Sequence, residues 1–84
     1  MTTITSAKIL GAELRAARKR IGMTQPDLAL AASVGVRFIV DLEAGKPTVR
    51  LEQILRVIDS LGCELTLTGF AAEPDKSAGV RLGQ

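Results

Sequence analysis

The chain has 84 residues, 46% of them hydrophobic and 24% charged, which is the balance of one small globular domain. With no histidine and one cysteine it cannot build a zinc site, a Ser-His-Asp triad or an internal disulfide, so we expect no catalytic site, metal or cofactor. The net charge is only +2, and we find neither an apolar membrane span nor a signal peptide, so we expect a cytoplasmic protein.

Basic residues are concentrated in the first two thirds of the chain. Nine basic and five acidic residues lie between Lys8 and Arg56, whereas two basic and four acidic residues follow. This distribution suits a surface that meets a polyanion. A domain of this size buries little apolar area, so we also expect a partner subunit to contribute stability.

The first predicted helix covers residues 7–21. Apolar residues recur at helical spacing between Leu10 and Ile21, and Ser6 can cap the start. Gly22 supplies the left-handed position at which the helix ends.

Two short helices follow, at residues 25–32 and 36–43. Thr24 is a good N-cap for the first of them, with Asp27 at the capping-box position and Pro26 tolerated in the first turn. The three residues between the two helices allow only a tight turn.

A fourth helix is predicted between Thr48, a second good N-cap, and Gly62. Its apolar stripe has spacings of three and four residues and consists of Leu51, Ile54, Leu55, Ile58 and Leu61. The stripe predicts a helix with one face on the core.

The apolar period then changes from helical to alternating. Cys63, Leu65 and Leu67 alternate with polar residues, which predicts a half-buried strand over residues 63–68. We expect Cys63 to be a small buried residue without chemistry of its own. Because a solitary strand needs a second edge, we expect it to pair with its copy in another subunit, with residues 2–5 as the alternative edge.

The first two thirds of the chain resemble a known family. The residues that match are Leu14, Arg15, Arg18, Gly22, Met23, Thr24, Gln25, Asp27, Leu28, Ala29, Val34, Gly35, Val36, Ile39, Leu42, Glu43 and Gly45. Over residues 10–62 the sequence is similar to the XRE family, the lambda repressor and Cro kind of DNA-binding domain. Within that family, residues 43–49, a fourth helix ending at Gly62 and the following strand are similar to HipB-type antitoxins.

The resemblance implies a mainly α fold. It would be a lambda-repressor-like helix-turn-helix domain of four to five short helices, with one C-terminal β-strand that pairs across a dimer. We accordingly expect an N-terminal arm (1–6), the helix-turn-helix domain (7–62), a dimerisation strand (63–69) and a flexible tail (70–84).

By the same resemblance, the third helix faces the DNA major groove. Arg37 could form a bidentate hydrogen bond with guanine, and Val36 and Val40 could contact thymine methyl groups. Asp41 could accept from cytosine, although a carboxylate near phosphates is more often an outward, solvated residue.

Phosphate contacts are expected at two helix starts. The free N–H groups and positive dipole at the start of the second helix, with Thr24 and Gln25, suit one phosphate. The region before the fourth helix, with Lys46, Thr48 and Arg50, suits a second, unless it is simply a solvated loop.

Three further features concern architecture. In the family pattern Arg18 and Glu43 pair with each other, so we expect a structural ion pair there. Many relatives have glycine where this chain has Ser33, so the turn would hold a non-glycine residue in a left-handed conformation. We expect Phe38 to serve packing, because no other aromatic residue accompanies it.

The resemblance implies a homodimeric repressor that binds a palindromic operator in double-stranded DNA. A HipB-type antitoxin would also bind a HipA-type kinase toxin and repress its own operon. The alternatives are a stand-alone XRE-family regulator without a toxin, and a protein-inhibitor module whose DNA binding is secondary, which Val36 and Val40 keep open because they are poor groove contacts.

Overall fold

A computed structural model describes residues 2–69. Within them four helices follow one another: α1 (Ala7–Arg20), α2 (Gln25–Ala32), α3 (Val36–Glu43) and α4 (Leu51–Ser60). The mainly α architecture is confirmed, and the first three helices begin at the residues that the sequence predicts. The predicted tail, residues 70–84, lies outside the described residues.

Side-chain caps fix the starts of α1 and α2. The Ser6 hydroxyl accepts from the Ile9 N–H at 3.1 Å. At α2 the Thr24 hydroxyl accepts from the Asp27 N–H at 3.1 Å, and the Asp27 carboxylate accepts from the Thr24 N–H at 3.0 Å. This is the capping box that the sequence predicts, and it satisfies two N–H groups that have no partner within the helix.

A tight turn joins α2 to α3, and its first residue is left-handed. Ser33 has φ 57° and ψ 46°, and the Val34 N–H reaches back to the Ala29 carbonyl at 3.0 Å. The predicted left-handed serine is therefore confirmed. A non-glycine residue accepts this conformation at a cost, which the hydrogen bond back to α2 and the burial of the neighbouring helices offset.

The core is shared by all four helices. α2 packs against both α3 and α4, while α1 packs against α3. Leu28, Ile39 and Val57, one from each of α2, α3 and α4, are fully buried. Each such side chain contributes about 1.5–3 kcal/mol by its burial. Phe38 is half-buried against the same cluster, which confirms its packing role.

Gly11 lets two helices approach closely. A methyl group at this position would overlap the Leu42 carbonyl oxygen and lie 3.0 Å from the Glu43 carbonyl oxygen. Glycine therefore lets the backbone of α1 lie against the end of α3. This contact brings the second half of α1 beside Glu43.

The start of α4 differs from the prediction. Its N-cap is Arg50, which makes no side-chain cap bond, and Thr48 lies in a turn before the helix. The predicted cap at Thr48 is wrong because Val49 packs against the core, so the helix begins after this anchored residue. Within the stripe, Leu51 and Leu55 remain 64% and 44% exposed.

No β-strand is assigned in the part of the chain that the structure describes. Residues 62–69 are all exposed, and no backbone hydrogen bond joins residues 63–69 to residues 2–5. The expectation of a buried Cys63 is wrong for the single chain, because no neighbouring backbone covers either face of this segment. Leu65 and Leu67 are 59% and 80% exposed.

Candidate nucleic-acid interface

The first turn of α3 points away from the core. Ile39 and Leu42 are 0% and 2% exposed, which fixes the rotation of the helix about its axis. Val36 is 43% exposed, and the Arg37 side chain is 84% exposed. Val40 is half-buried, one turn further along. Of the three residues predicted to face a DNA groove, Val36 and Arg37 are thus the more accessible.

Asp41 connects Arg37 to the loop that follows α3. The distance from Arg37 Nε to Asp41 Oδ1 is 3.3 Å, and Lys46 Nζ lies 3.6 Å from Asp41 Oδ2. The Asp41 side chain is 23% exposed, and each of its two oxygens faces one cation at the edge of the surface. The structure therefore brings together a predicted base contact, Arg37, and a predicted phosphate contact, Lys46.

The connection between α3 and α4 holds the remaining predicted phosphate contacts of this side. Thr48 and Arg50 are both exposed, and the Lys46 side chain is 52% exposed. Gly45, the second residue of the connection, has φ 87° and lies against the Lys8 backbone at the start of α1. A side chain at Gly45 would clash there, so glycine anchors the loop next to α1.

The start of α2 offers fewer free donors than the sequence suggests. The capping box occupies the N–H groups of Thr24 and Asp27, and Pro26 has none. Of the N–H groups in the first turn of α2, only that of Gln25 has no acceptor within residues 2–69. Hydrogen bonds from the Thr24 backbone and side chain also hold the pKa of Asp27 below its usual range, so this carboxylate is charged at neutral pH.

Two exposed cations of α1 lie beside the start of α2. An open depression of about 570 Å³ lies beside the start of α2 and is lined by Arg15, Arg18, Lys19, Met23, Thr24, Gln25 and Pro26. Arg15 and Lys19 are exposed and stand four residues apart on one face of α1. The sequence analysis missed them as phosphate candidates, although this spacing just before α2 was a usable signal.

A buried ion pair lies behind this depression. Arg18 Nε donates to Glu43 Oε2 at 2.6 Å and Nη2 donates to Oε1 at 2.9 Å, while Nη1 donates to the Met23 carbonyl at 2.8 Å. The two side chains are 8% and 3% exposed. Gln25 Nε2 also donates to Glu43 Oε1 at 3.1 Å, so its amide is engaged within the domain.

The pair determines the charge state of both groups. Burial alone raises the pKa of Glu43, but hydrogen bonds from Arg18 and Gln25 and the charges of Arg18 and Arg15 outweigh it and hold that pKa below the usual range. The hydrogen bond to Glu43 in turn raises the pKa of Arg18. Both groups are therefore ionised at neutral pH, with their hydrogen-bonding capacity largely used inside the domain.

Two short helices joined by a tight turn, with the second one exposed at its start, have the geometry of a DNA-binding helix-turn-helix unit. Residues 9–69 match a protein family described as a helix-turn-helix domain. The chain belongs to the helix-turn-helix domain family. A curated relative, the uncharacterized HTH-type transcriptional regulator y4mF of Sinorhizobium fredii, is 48% identical over 58 residues, which cover 69% of this chain and 76% of that protein.

Solved structures with the same fold include HipB. HipB in a complex with the O4 20mer superposes with a TM-score of 0.76 at 22% identity, covering 84% of this chain and all of that one. A HipA–HipB–O2–O3 complex gives a TM-score of 0.77 at 22% identity, with the same coverage of this chain. These similarities show that this helix-turn-helix protein has the HipB fold.

In this family member, α2 and α3 form the helix-turn-helix unit. α3 is its exposed second helix, and the cationic groups of α1 and of residues 44–50 flank it. Within residues 2–69 no group of three or more histidine, cysteine, aspartate or glutamate residues could hold a metal ion. None of the four helices is long and apolar enough to cross a membrane.

Proposed function

We propose that this chain is a sequence-specific DNA-binding transcriptional repressor that acts as a homodimer. The observation that supports this best is the exposed Arg37 side chain in the first turn of α3. Arginine there can reach guanine O6 and N7 when α3 enters the major groove, with Val36 and Val40 against thymine methyl groups.

Phosphates on the two sides of the groove would hold α3 in register. On one side, Thr24 and the Gln25 N–H would act together with Arg15 and Lys19, whose charges outweigh that of Asp27. On the other side, Lys46, Thr48 and Arg50 would bind the second strand. Such contacts fix position and orientation, while the base contacts determine sequence.

The test is selection of duplexes from a randomised DNA pool by the purified chain. A two-fold dimer presents two α3 helices about 34 Å apart, or a multiple of that distance, so the selected sequence should be a palindrome with guanine in each half-site. A chain that enriches no sequence from the pool is not a sequence-specific repressor.

The dimer is proposed to form through residues 63–68. Leu65 and Leu67 are largely exposed in the single chain, and Cys63 lies beside them. Pairing of this segment with its copy would provide the missing strand edge and cover these side chains. A chain truncated after Gly62 should sediment as a monomer; a truncated chain that is still dimeric would place the interface elsewhere, for example on the exposed Leu51 and Leu55 of α4.

We further propose that the chain is an antitoxin that binds a HipA-type kinase and represses its own operon. The shared fold with HipB, including the HipB of a complex with HipA, supports this proposal. The kinase would dock on surfaces that DNA leaves free, including residues 70–84 and the part of α1 away from Arg15 and Lys19. Co-expression with the neighbouring genes, followed by purification of the chain, tests it: if no kinase co-purifies, the chain is a stand-alone regulator.

A further inference from the structure

Asp41 holds two cations that the proposed function assigns to different parts of the DNA. Its Oδ1 lies 3.3 Å from Arg37 Nε, and its Oδ2 lies 3.6 Å from Lys46 Nζ. Nε is the Arg37 nitrogen nearest to Asp41, the side chain is 84% exposed, and neither terminal nitrogen of Arg37 donates a hydrogen bond within residues 2–69. Those two nitrogens can donate together to guanine O6 and N7.

Helix stability does not explain this arrangement. Arg37 lies in the first turn of α3, next to the positive end of the helix dipole, and Asp41 lies in the last turn, next to the negative end. An i,i+4 pair with the acid first is the more favourable order. α4 shows that order: Glu52 in its first turn pairs with Arg56 at 3.3 Å.

We propose that Asp41 is a positioning residue for DNA recognition, which orients Arg37 toward guanine and links it to Lys46 at the phosphate. This inference rests on the proposed function. Ordering a long side chain on binding costs roughly 2- to 10-fold in affinity, and an arginine already held by a carboxylate avoids part of that loss. Asp41 thus acts through Arg37 and has no need to contact a base itself.

The experiment measures a discrimination ratio. One duplex is the sequence that the wild-type chain selects, and the other has the guanine pair of one half-site replaced by A·T; the ratio is that of the two dissociation constants. For Asp41→Asn we expect the ratio to fall by roughly 2- to 10-fold. Affinity for a duplex of unrelated sequence should rise at the same time, because the variant removes a negative charge near the phosphates.

Two further variants separate positioning from direct contact. Asp41→Glu keeps the carboxylate and should recover part of the ratio. In an Arg37→Ala background, Asp41→Asn should change the ratio no further, since no arginine is left to orient. If Asp41→Asn still lowers the ratio in the Arg37→Ala background, Asp41 contacts a base directly. The same conclusion would follow if Asp41→Asn lowered the preference for cytosine at a position that Arg37 does not contact. Either result would overturn the proposal.

Glu52→Gln is the matched control, because it neutralises an equally long i,i+4 pair on α4. Its ratio should equal that of the wild type. An equal loss in Glu52→Gln would reveal a general charge effect, and an unchanged ratio in Asp41→Asn would reject the positioning role while leaving the proposed repressor intact. If the wild-type chain selects no sequence at all, the proposed function and this inference both fail.

Discussion

Two arginine–carboxylate pairs in this domain have the same chemistry and opposite surroundings. The Arg18–Glu43 pair is bidentate, with its shortest distance at 2.6 Å, and both side chains are under 10% exposed. In the Arg37–Asp41 pair the shortest distance is 3.3 Å, and Arg37 is 84% exposed. The family resemblance predicts only the first of these pairs.

The difference shows how burial decides what a charged pair does. A desolvated charge needs partners inside the protein. Arg18 donates hydrogen bonds to Glu43 and to the Met23 carbonyl, so it has few donors left for DNA. Arg37 remains hydrated, and its terminal nitrogens can exchange water for a base. Burial therefore makes the first pair part of the architecture and leaves the second accessible, as the proposed recognition of guanine requires.

The largest effect is expected from Arg18→Ala. The substitution leaves the Glu43 carboxylate buried without its main partner, so the free energy of unfolding should fall by about 3–5 kcal/mol. Chemical denaturation measures it. Arg56→Ala, which removes an exposed arginine paired with Glu52, is the control and should cost about 0–1 kcal/mol. An unchanged melting temperature with weaker DNA binding would show instead that Arg18 faces phosphates.

The buried pair should also make stability depend on pH in the acid range. Because the pKa of Glu43 is lower in the folded state, the unfolded chain binds more protons. The stabilisation is complete above the ordinary glutamate value of about 4.3 and is lost as the pH falls through the folded pKa.

Urea unfolding between neutral pH and about pH 3 tests this, since the acid loss lies near and below the ordinary glutamate value. In Glu43→Gln the free energy of unfolding should depend less on pH in this range. Asp27→Asn is the comparison, because the pKa of Asp27 is lowered in the same direction at an exposed site. Equal acid sensitivity in the wild type and in Glu43→Gln would show that other carboxylates are responsible.

A smaller effect, and on binding alone, is expected from Arg37→Ala. The variant should lose about 1–3 kcal/mol of binding free energy at the guanine pair, and its preference for guanine at that position should relax. Its melting temperature should match that of the wild type, because an exposed pair of this kind contributes little to stability. Equal weakening on every duplex, measured by titration, would instead identify Arg37 as a phosphate ligand.

Local signals made much of the fold predictable from the sequence. Ser6 and the Thr24–Asp27 box cap helices through bonds within three residues. The left-handed Ser33 was expected from the family resemblance, because many relatives have glycine at this position. The start of α4 was not predictable in this way. Thr48 is a good cap by residue type, but the packing of Val49 on the core is a tertiary effect.

The candidate site was predictable only in part. The exposure of Arg37 follows from helical periodicity once Ile39 and Leu42 are placed in the core. The spacing of Arg15 and Lys19 indicates that they share one face of α1, but their position beside the start of α2 depends on how α1 packs. The contact between Asp41 and Lys46 likewise depends on the path of the loop, which no local pattern fixes.

The smallest expected effects on the free energy of unfolding come from neutralising the acid of each exposed i,i+4 pair. Both have a distance of 3.3 Å, but Glu52 precedes Arg56 in α4, whereas Arg37 precedes Asp41 in α3. Glu52→Gln removes a pair in the order that the helix dipole favours and should cost about 0.3–0.5 kcal/mol of unfolding free energy. Asp41→Asn removes the exposed pairs with Arg37 and Lys46 but also an unfavourable charge at the C-terminal end of α3, so the loss and the gain oppose each other. The free energy of unfolding of Asp41→Asn should therefore stay within about 0.3 kcal/mol of the wild type, measured at low ionic strength where such terms are largest. A loss in Asp41→Asn greater than that in Glu52→Gln would mean that the Arg37–Asp41 pair supports the fold as the Arg18–Glu43 pair does, and the contrast between the two would no longer hold.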